Sequence, residues 1–215
     1  MSKFQTDEEE VELLKRWWAE NGKALVAAVV LAIAAVGGWK WWQAQEQAKG
    51  EAASVLYQQL VDLINQPQLS DEQNATAQHL ADQLQSDFPE TLYANYGALF
   101  EAKLQVKAGE LDGALSTLKA VQTAAVNESV SEVAALRQAQ ILWQQGNSQQ
   151  ALDLANTIKA KVYSGDLEEL KGDLLAELDK PQQAKEAYLK AKAIFAAAGV
   201  SRPALDMKIA DLGGA

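Results

Sequence analysis

The sequence predicts an all-α protein: a single N-terminal transmembrane helix, then a tetratricopeptide-like α-solenoid of about four helical hairpins with a C-terminal capping helix. Three observations carry that prediction. Residues 24–39 form a run of 16 with no charged side chain, bracketed by tryptophan. After Trp42, alanine, leucine, glutamine and glutamate dominate. These are good helix formers, and no segment shows the alternation of β-branched residues that marks a strand. A small–turn–small pattern also recurs, first after 37 residues and then after 33.

The first element is the run in KRWWAENGKALVAAVVLAIAAVGGWKWW. It admits three readings: a cleaved export signal, a buried core helix, or a permanent membrane anchor. Sixteen residues give about 24 Å of helix at ~1.5 Å per residue, whereas a hydrocarbon core of ~30 Å takes ~20 residues. Extending the span to residues 22–42 closes the gap if Lys23 and Lys40 snorkel. Trp17, Trp18, Trp39, Trp41 and Trp42 then fall at the two membrane interfaces, where amphipathic rings are favoured. A soluble core helix has no need of indoles at both ends. A signal peptide fits less well. Its small-x-small site, Ala32-Ile33-Ala34, lies inside the apolar run, and the preceding segment is long and acidic (Asp7, Glu8, Glu9, Glu10). An uncleaved anchor is the favoured reading.

Lys15, Arg16 and Lys23, with Lys3 farther out, outnumber Lys40 and Lys49, which points the N-terminus inward. The expected organisation is a cytoplasmic tail at 1–21, a span at 22–42 and a periplasmic repeat domain at 43–215, in the inner membrane of a bacterium. The absence of cysteine fits an oxidising compartment, and a cytoplasmic one as well. Within the span, Ala24, Ala28 and Ala32 recur every four residues, and Ala34-x3-Gly38 is a second small-xxx-small pair. Such faces let transmembrane helices pack closely, although an alanine-rich run produces the spacing by chance too.

The repeats set the remaining elements. Ala102-x6-Gly109-x4-Ala114 returns as Ala139-x6-Gly146-x4-Ala151 and, weakened, as Gly172-x6-Asp179-x4-Ala184. Small residues 12 apart around a turn mark a tetratricopeptide hairpin, whose two helices cross too closely for larger side chains. An earlier copy is expected around Ala77, Ala81 and Leu84, with Pro89 as its terminal proline and an insertion at 66–72. Helix pairs are predicted at 51–65 with 72–86, 91–108 with 110–124, 129–145 with 148–160, and 165–178 with 181–197. The four prolines (67, 89, 181, 203) sit where helices begin or end. A short helix after Pro203, with Ala204, Leu205, Ile209 and Leu212 on its apolar side, suits the cap that a stacked array needs. Residues 42–50 are expected to continue the membrane helix into the first repeat.

Charge and chemistry then narrow the function. Residues 43–215 hold 14 basic and 23 acidic side chains, a net charge of −9, which disfavours nucleic acid and anionic headgroups. There is one histidine, His79, and no cysteine, which leaves no zinc site of the usual kind. No phosphate loop, dinucleotide fingerprint or HExxH is present. His79 reads as a solvated or satisfied helix residue. No cofactor and no catalytic group is expected.

A repeat array binds along the concave face lined by its first helices. Counting register from Ala102 places Tyr96, Leu99, Lys103, Val106 and Lys107 inward. Counting from Ala139 places Val133, Leu136, Gln140, Trp143 and Gln144 inward. The apolar members, Tyr96, Leu99, Val106, Val133, Leu136 and Trp143, could hold a segment of a partner. They equally suit an ordinary core between hairpins. Asp166, Glu169, Asp173 and Glu177, spaced 3, 4 and 4, line one helical face as an acidic ridge. It reads most simply as a solvated face, and otherwise as a selector of basic segments.

Several of these stretches together resemble the YfgM family of ancillary Sec translocon subunits: KRWWAENGKAL, the span ending in GGWKWW, and the C-terminal SRPALDMKIADL. The resemblance runs nearly the full chain and is most specific at residues 15–25. It implies a non-enzymatic inner-membrane protein that associates with the SecYEG channel and the periplasmic chaperone PpiD, and passes exported, unfolded chains toward periplasmic chaperones. It also implies a stress-regulatory link through the cytoplasmic tail, whose acidic residues 7–12 could meet a basic partner. Two function classes stand: an adaptor or holdase at the translocon, and an envelope scaffold or stress-response regulator that binds no clients.

Overall fold

The computed structural model describes residues 3–66 and 68–212, with side chains from Glu10 onward. Every regular element among the described residues is α-helical: α1 (Lys3–Ile64), α2 (Asp71–Asp87), α3 (Leu92–Ala108), α4 (Leu111–Thr123), α5 (Glu128–Gln144), α6 (Ser148–Thr157), α7 (Ser164–Glu177), α8 (Pro181–Ala197) and α9 (Pro203–Asp211). The chain forms two compact units, residues 1–51 and 52–215. Pro67 and the side chains of Lys3, Asp7, Glu8 and Glu9 lie outside the described residues.

In the first unit, α1 is solvent-exposed from Glu10 to Lys49 apart from Gly22. It is the helix among the described residues long and apolar enough to cross a membrane.

In the second unit, each hairpin follows from its turn. The αL position that ends a helix takes glycine most easily, because a Cβ there meets the following carbonyl. Gly109 (φ 81°) and Gly146 (φ 79°) fill it after α3 and α5. In both turns the next N–H reaches back five residues: Glu110 to the Gln105 carbonyl at 2.8 Å and Asn147 to the Leu142 carbonyl at 2.9 Å. The third turn keeps the same bond, Lys180 to Leu175 at 2.9 Å, but places Asp179 at φ 55°. The weak third copy of the pattern is therefore a full structural repeat with a non-glycine turn.

The small residues on either side of these turns are buried at the crossings. Ala102, Ala114, Ala139, Ala151 and Ala184 are all at most 2% exposed. Helix starts are fixed locally. Ser70 and Gln73 form a reciprocal capping box at α2. Thr91 and Asn127 accept from the backbone N–H of Ala94 and Val130, and Pro181 and Pro203 open α8 and α9. Each such cap contributes roughly 1 kcal/mol.

Three apolar clusters run along the stack. Leu60, Leu84 and Phe100 join the end of α1 to α2 and α3. Ala102, Leu118, Val121 and Ile141 join α3, α4 and α5. Leu136, Leu174, Tyr188 and Leu205 extend the core from α5 to α9. Leu84 and Leu174 are fully buried, and truncating either to alanine costs about 2–5 kcal/mol. Buried polar groups are used as ties. The Glu132 carboxylate accepts from the N–H groups of Lys161, Val162 and Tyr163 at 2.9, 3.1 and 3.3 Å, which fixes the loop between α6 and α7. Asn95 Oδ1 accepts from the Val126 N–H at 3.0 Å and holds the loop before α5.

Candidate functional site

The first helices of three successive hairpins contribute walls to a groove. On α3, Tyr96, Leu99, Lys103 and Val106 stand at intervals of 3, 4 and 3, one stripe of a helix. On α5, Val133, Arg137, Gln140 and Gln144 stand at intervals of 4, 3 and 4. Tyr57, Leu60 and Ile64 close the remaining side. The groove's volume is about 620 Å³, within the roughly 300–1,000 Å³ typical of ligand-sized clefts.

The Tyr57 ring lies between those of Tyr93 and Tyr96, with centroids 5.4 and 5.3 Å away in tilted geometry. Aromatic pairs favour such arrangements. Burial, and then the neighbouring Tyr96 and Tyr93, push the Tyr57 hydroxyl above the ordinary phenol range, so it stays protonated. The groove's charges are of one sign. Lys103 and Arg137 line it, and no carboxylate does. Arg137 Nη1 donates to Gln140 Oε1 at 2.7 Å. Neither cation makes an ion pair among the described residues.

Of the apolar residues expected along this face, the structure gathers Tyr96, Leu99, Val106 and Val133. It does not place Leu136 or Trp143 there. Leu136 is 4% exposed and packs in the core that runs toward α9. Trp143 is half-buried against the same core and donates its indole N–H to Glu177. The reason is register: Arg137 and Gln144, one residue on, carry the α5 stripe, and the neighbouring positions turn toward α7. Lys107 is exposed and does not line the cavity. Arg137 and Tyr57 were not among the expected groove residues. The 133–137–140–144 spacing is compatible with Arg137 on this face, but no more so than the face through Leu136 and Trp143.

The acidic row on α7 does lie along one face, but its carboxylates are partnered rather than free, with Glu177 exposed and the other three half-buried. Asp166 accepts from Arg202 at 2.7 Å. Glu169 and Asp173 accept from Lys208, each at 2.9 Å. Asp173 also accepts from the Tyr188 hydroxyl at 2.8 Å. Glu177 accepts from Ser148 at 2.7 Å and from Trp143. The ridge is the docking strip for α9 and for the end of α5, because Arg202 and Lys208 arrive there from 35 to 39 positions along the chain.

In the first unit, Trp17, Trp18, Trp39, Trp41 and Trp42 are exposed. Trp39 and Trp42 lie 5.1 Å apart between ring centroids. Trp18 folds over Gly22, whose missing Cβ would stand 3.1 Å from the ring. Ala24, Ala28, Ala32, Ala34 and Gly38 are exposed on α1. His79 is exposed on α2, and no group of metal-ligating side chains converges among the described residues.

Known proteins agree with this architecture. Residues 15–214 match the model of the tetratricopeptide repeat-like domain family. A solved tetratricopeptide repeat protein from Parabacteroides merdae superposes with a TM-score of 0.54 at 15% identity, over 77% of this chain and 61% of that one. That likeness bears on the fold. Relatives in several bacteria carry the name ancillary SecYEG translocon subunit. The Aggregatibacter actinomycetemcomitans protein is 30% identical over 86% of this chain and 88% of its own. The Escherichia coli (strain K12) protein is 28% identical over 87% and 88%. The Haemophilus influenzae protein is 27% identical over 84% and 89%. With a repeat domain matched nearly end to end and relatives matched over most of both chains, the chain belongs to the YfgM family, a non-catalytic family named for ancillary SecYEG translocon subunits.

Proposed function

We propose that this protein is an ancillary subunit of the Sec translocon, held in the inner membrane by residues 22–42 of α1. Residues 1–21 form its cytoplasmic tail, and residues 43–215 present the groove on the periplasmic side. The observation that carries the reading is the pairing, in one chain, of an exposed apolar helix with a repeat domain, in a family whose members are named for that complex. The basic residues Lys15, Arg16 and Lys23 before the span support the orientation. The tryptophans at both ends support a permanent span. The groove offers an aromatic and aliphatic surface for protein segments, and the YfgM resemblance makes PpiD and emerging exported chains its partners.

Photocrosslinking groups at Ala28 and Gln140, in intact membranes, test this. The expected result is capture of channel subunits at Ala28 and of PpiD or an exported chain at Gln140. Silence at both positions, with no copurification of SecYEG in mild detergent, would overturn it. Because the chain has no cysteine, a single Gln150→Cys variant reports the topology. A membrane-impermeant maleimide that crosses only the outer membrane should label it in intact cells. Labelling only after lysis would reverse the orientation.

A further inference from the structure

The charge of the groove is opposite to that of the domain that surrounds it. The repeat region carries a net charge of −9, yet the two charged residues lining the cavity are Lys103 and Arg137, and no acidic side chain lines it. Elsewhere in this domain Lys208 and Arg202 are consumed in holding α9, and Lys161 and Lys171 pair with Glu128 and Glu168. Lys103 and Arg137 are exposed and make no ion pair among the described residues. They stand over a floor of Tyr57, Tyr96, Leu99 and Val133.

We propose that the groove takes an acidic-apolar peptide segment, whose hydrophobic side chains pack on Tyr96, Leu99 and Val133 while a carboxylate between them is bound by Arg137 and Lys103. This rests on the groove being the protein-contact face and names the chemistry of its occupant. A guanidinium presents a planar fork that matches a carboxylate, and its one internal bond, to Gln140, leaves other N–H donors for a ligand. The low local polarity of the aromatic floor strengthens that contact relative to one in open solvent. The acidic exterior of the domain repels the same segment everywhere else, which confines it to the cavity. A basic-apolar segment meets the reverse arrangement: attraction to the outer surface and repulsion at the site. The Tyr57 hydroxyl, held in its protonated form among its neighbours, adds a donor and no negative charge.

The test uses the full chain in lipid nanodiscs made of zwitterionic lipid. Three fluorescent decapeptides of the same leucine and phenylalanine pattern serve as probes, with glutamate, glutamine or lysine at the polar positions. The glutamate peptide should bind about tenfold more tightly than the glutamine peptide, as two charge-assisted contacts allow. Its advantage should shrink as salt rises. Arg137→Gln and Lys103→Gln should each weaken the glutamate peptide about threefold and leave the glutamine peptide nearly unchanged. Both side chains are exposed, so these variants should keep the parent's thermal unfolding profile, which is recorded alongside. Arg137→Glu should shift the preference toward the lysine peptide. Equal binding of the glutamate and glutamine peptides, or a preference for lysine in the parent, overturns this inference and leaves the groove as a contact face. Binding of none of the three overturns both.

Discussion

The ring of Tyr188 fills the space that a Cβ at residue 172 would need. Its nearest atoms lie 2.3 Å from where that carbon would stand. The α7–α8 crossing therefore requires glycine at the site where two other hairpins use Ala102 and Ala139. Tyr188 is 3% exposed and its hydroxyl is tied to Asp173, so it cannot swing away. Burial, with Asp173 and Glu169 beside it, raises its ionisation far above the ordinary phenol range.

Gly172→Ala should destabilise the repeat domain by about 1–3 kcal/mol, since overpacking outweighs the ~1 kcal/mol gained in helix propensity. Thermal unfolding of the full chain in nanodiscs measures it. A stabilised variant would mean that the two helices separate without cost.

Glu177 links α5, α6 and α7 through Ser148 and Trp143. The Ser148 bond first, and then Trp143, hold its carboxyl below the ordinary value of 4.5. A depressed folded pKa stabilises above the unfolded value, and that stability is lost as pH falls through the folded one. Glu177→Gln should therefore be less stable than the parent at pH 7, with the gap closing below about pH 4.5. Urea midpoints at pH 7 and pH 3.5 give the comparison, and a gap of constant size would show that the carboxylate's charge is irrelevant.

Lys208 fastens the cap. Burial alone would lower its pKa, but the bonds to Asp173 and Glu169 outweigh it and leave the amine above 10.5. A raised folded pKa contributes below the unfolded value and fades as pH rises through the folded one. Lys208→Met should cost about 1–2 kcal/mol at pH 7, held to that range by partial exposure, and progressively less above pH 10.5. Limited proteolysis should cut near α9 first in the variant. Unchanged protection of that segment would assign the cap's stability to Leu205 instead.

Asp179 stands in the left-handed region where Gly109 and Gly146 serve the other two turns. Asp179→Gly should raise stability by about 0.5–1 kcal/mol, the relief of Cβ strain less the added freedom of the unfolded chain. A lower unfolding temperature would mean that the aspartate side chain stabilises the turn.

The helix pairs were legible because their signals are local. Glycine at an αL turn, alanine at a crossing and proline at a first turn act within a few residues, and the predicted helices match the observed ones to within a few positions. The α3 stripe of the groove was legible for the same reason. The α5 stripe was not, because Val133, Leu136, Gln140 and Trp143 make as regular a helical face as Val133, Arg137, Gln140 and Gln144. Nothing within α5 says which of the two meets α3. Leu136 and Trp143 turn toward α7 because partners wait there, the apolar cluster that includes Leu174 for one and Glu177 for the other.

The amino-acid sequence by itself determined the all-α class, the apolar span framed by tryptophan, the hairpin repeats and the capping helix. Each of these depends on spacing and residue type along the chain. Only the tertiary structure decided which charges are used up. Asp166, Glu169 and Asp173 look like an open acidic surface in the sequence, yet they are paired with Arg202 and Lys208. Lys103 faces inward by register, but Arg137 looks like a scattered solubilising cation, yet the two line one cavity together. Bringing residues 34 positions apart to one cavity, as with Lys103 and Arg137, depends on how consecutive hairpins rotate as they stack. That rotation is set by side-chain packing between helices, which no local pattern encodes.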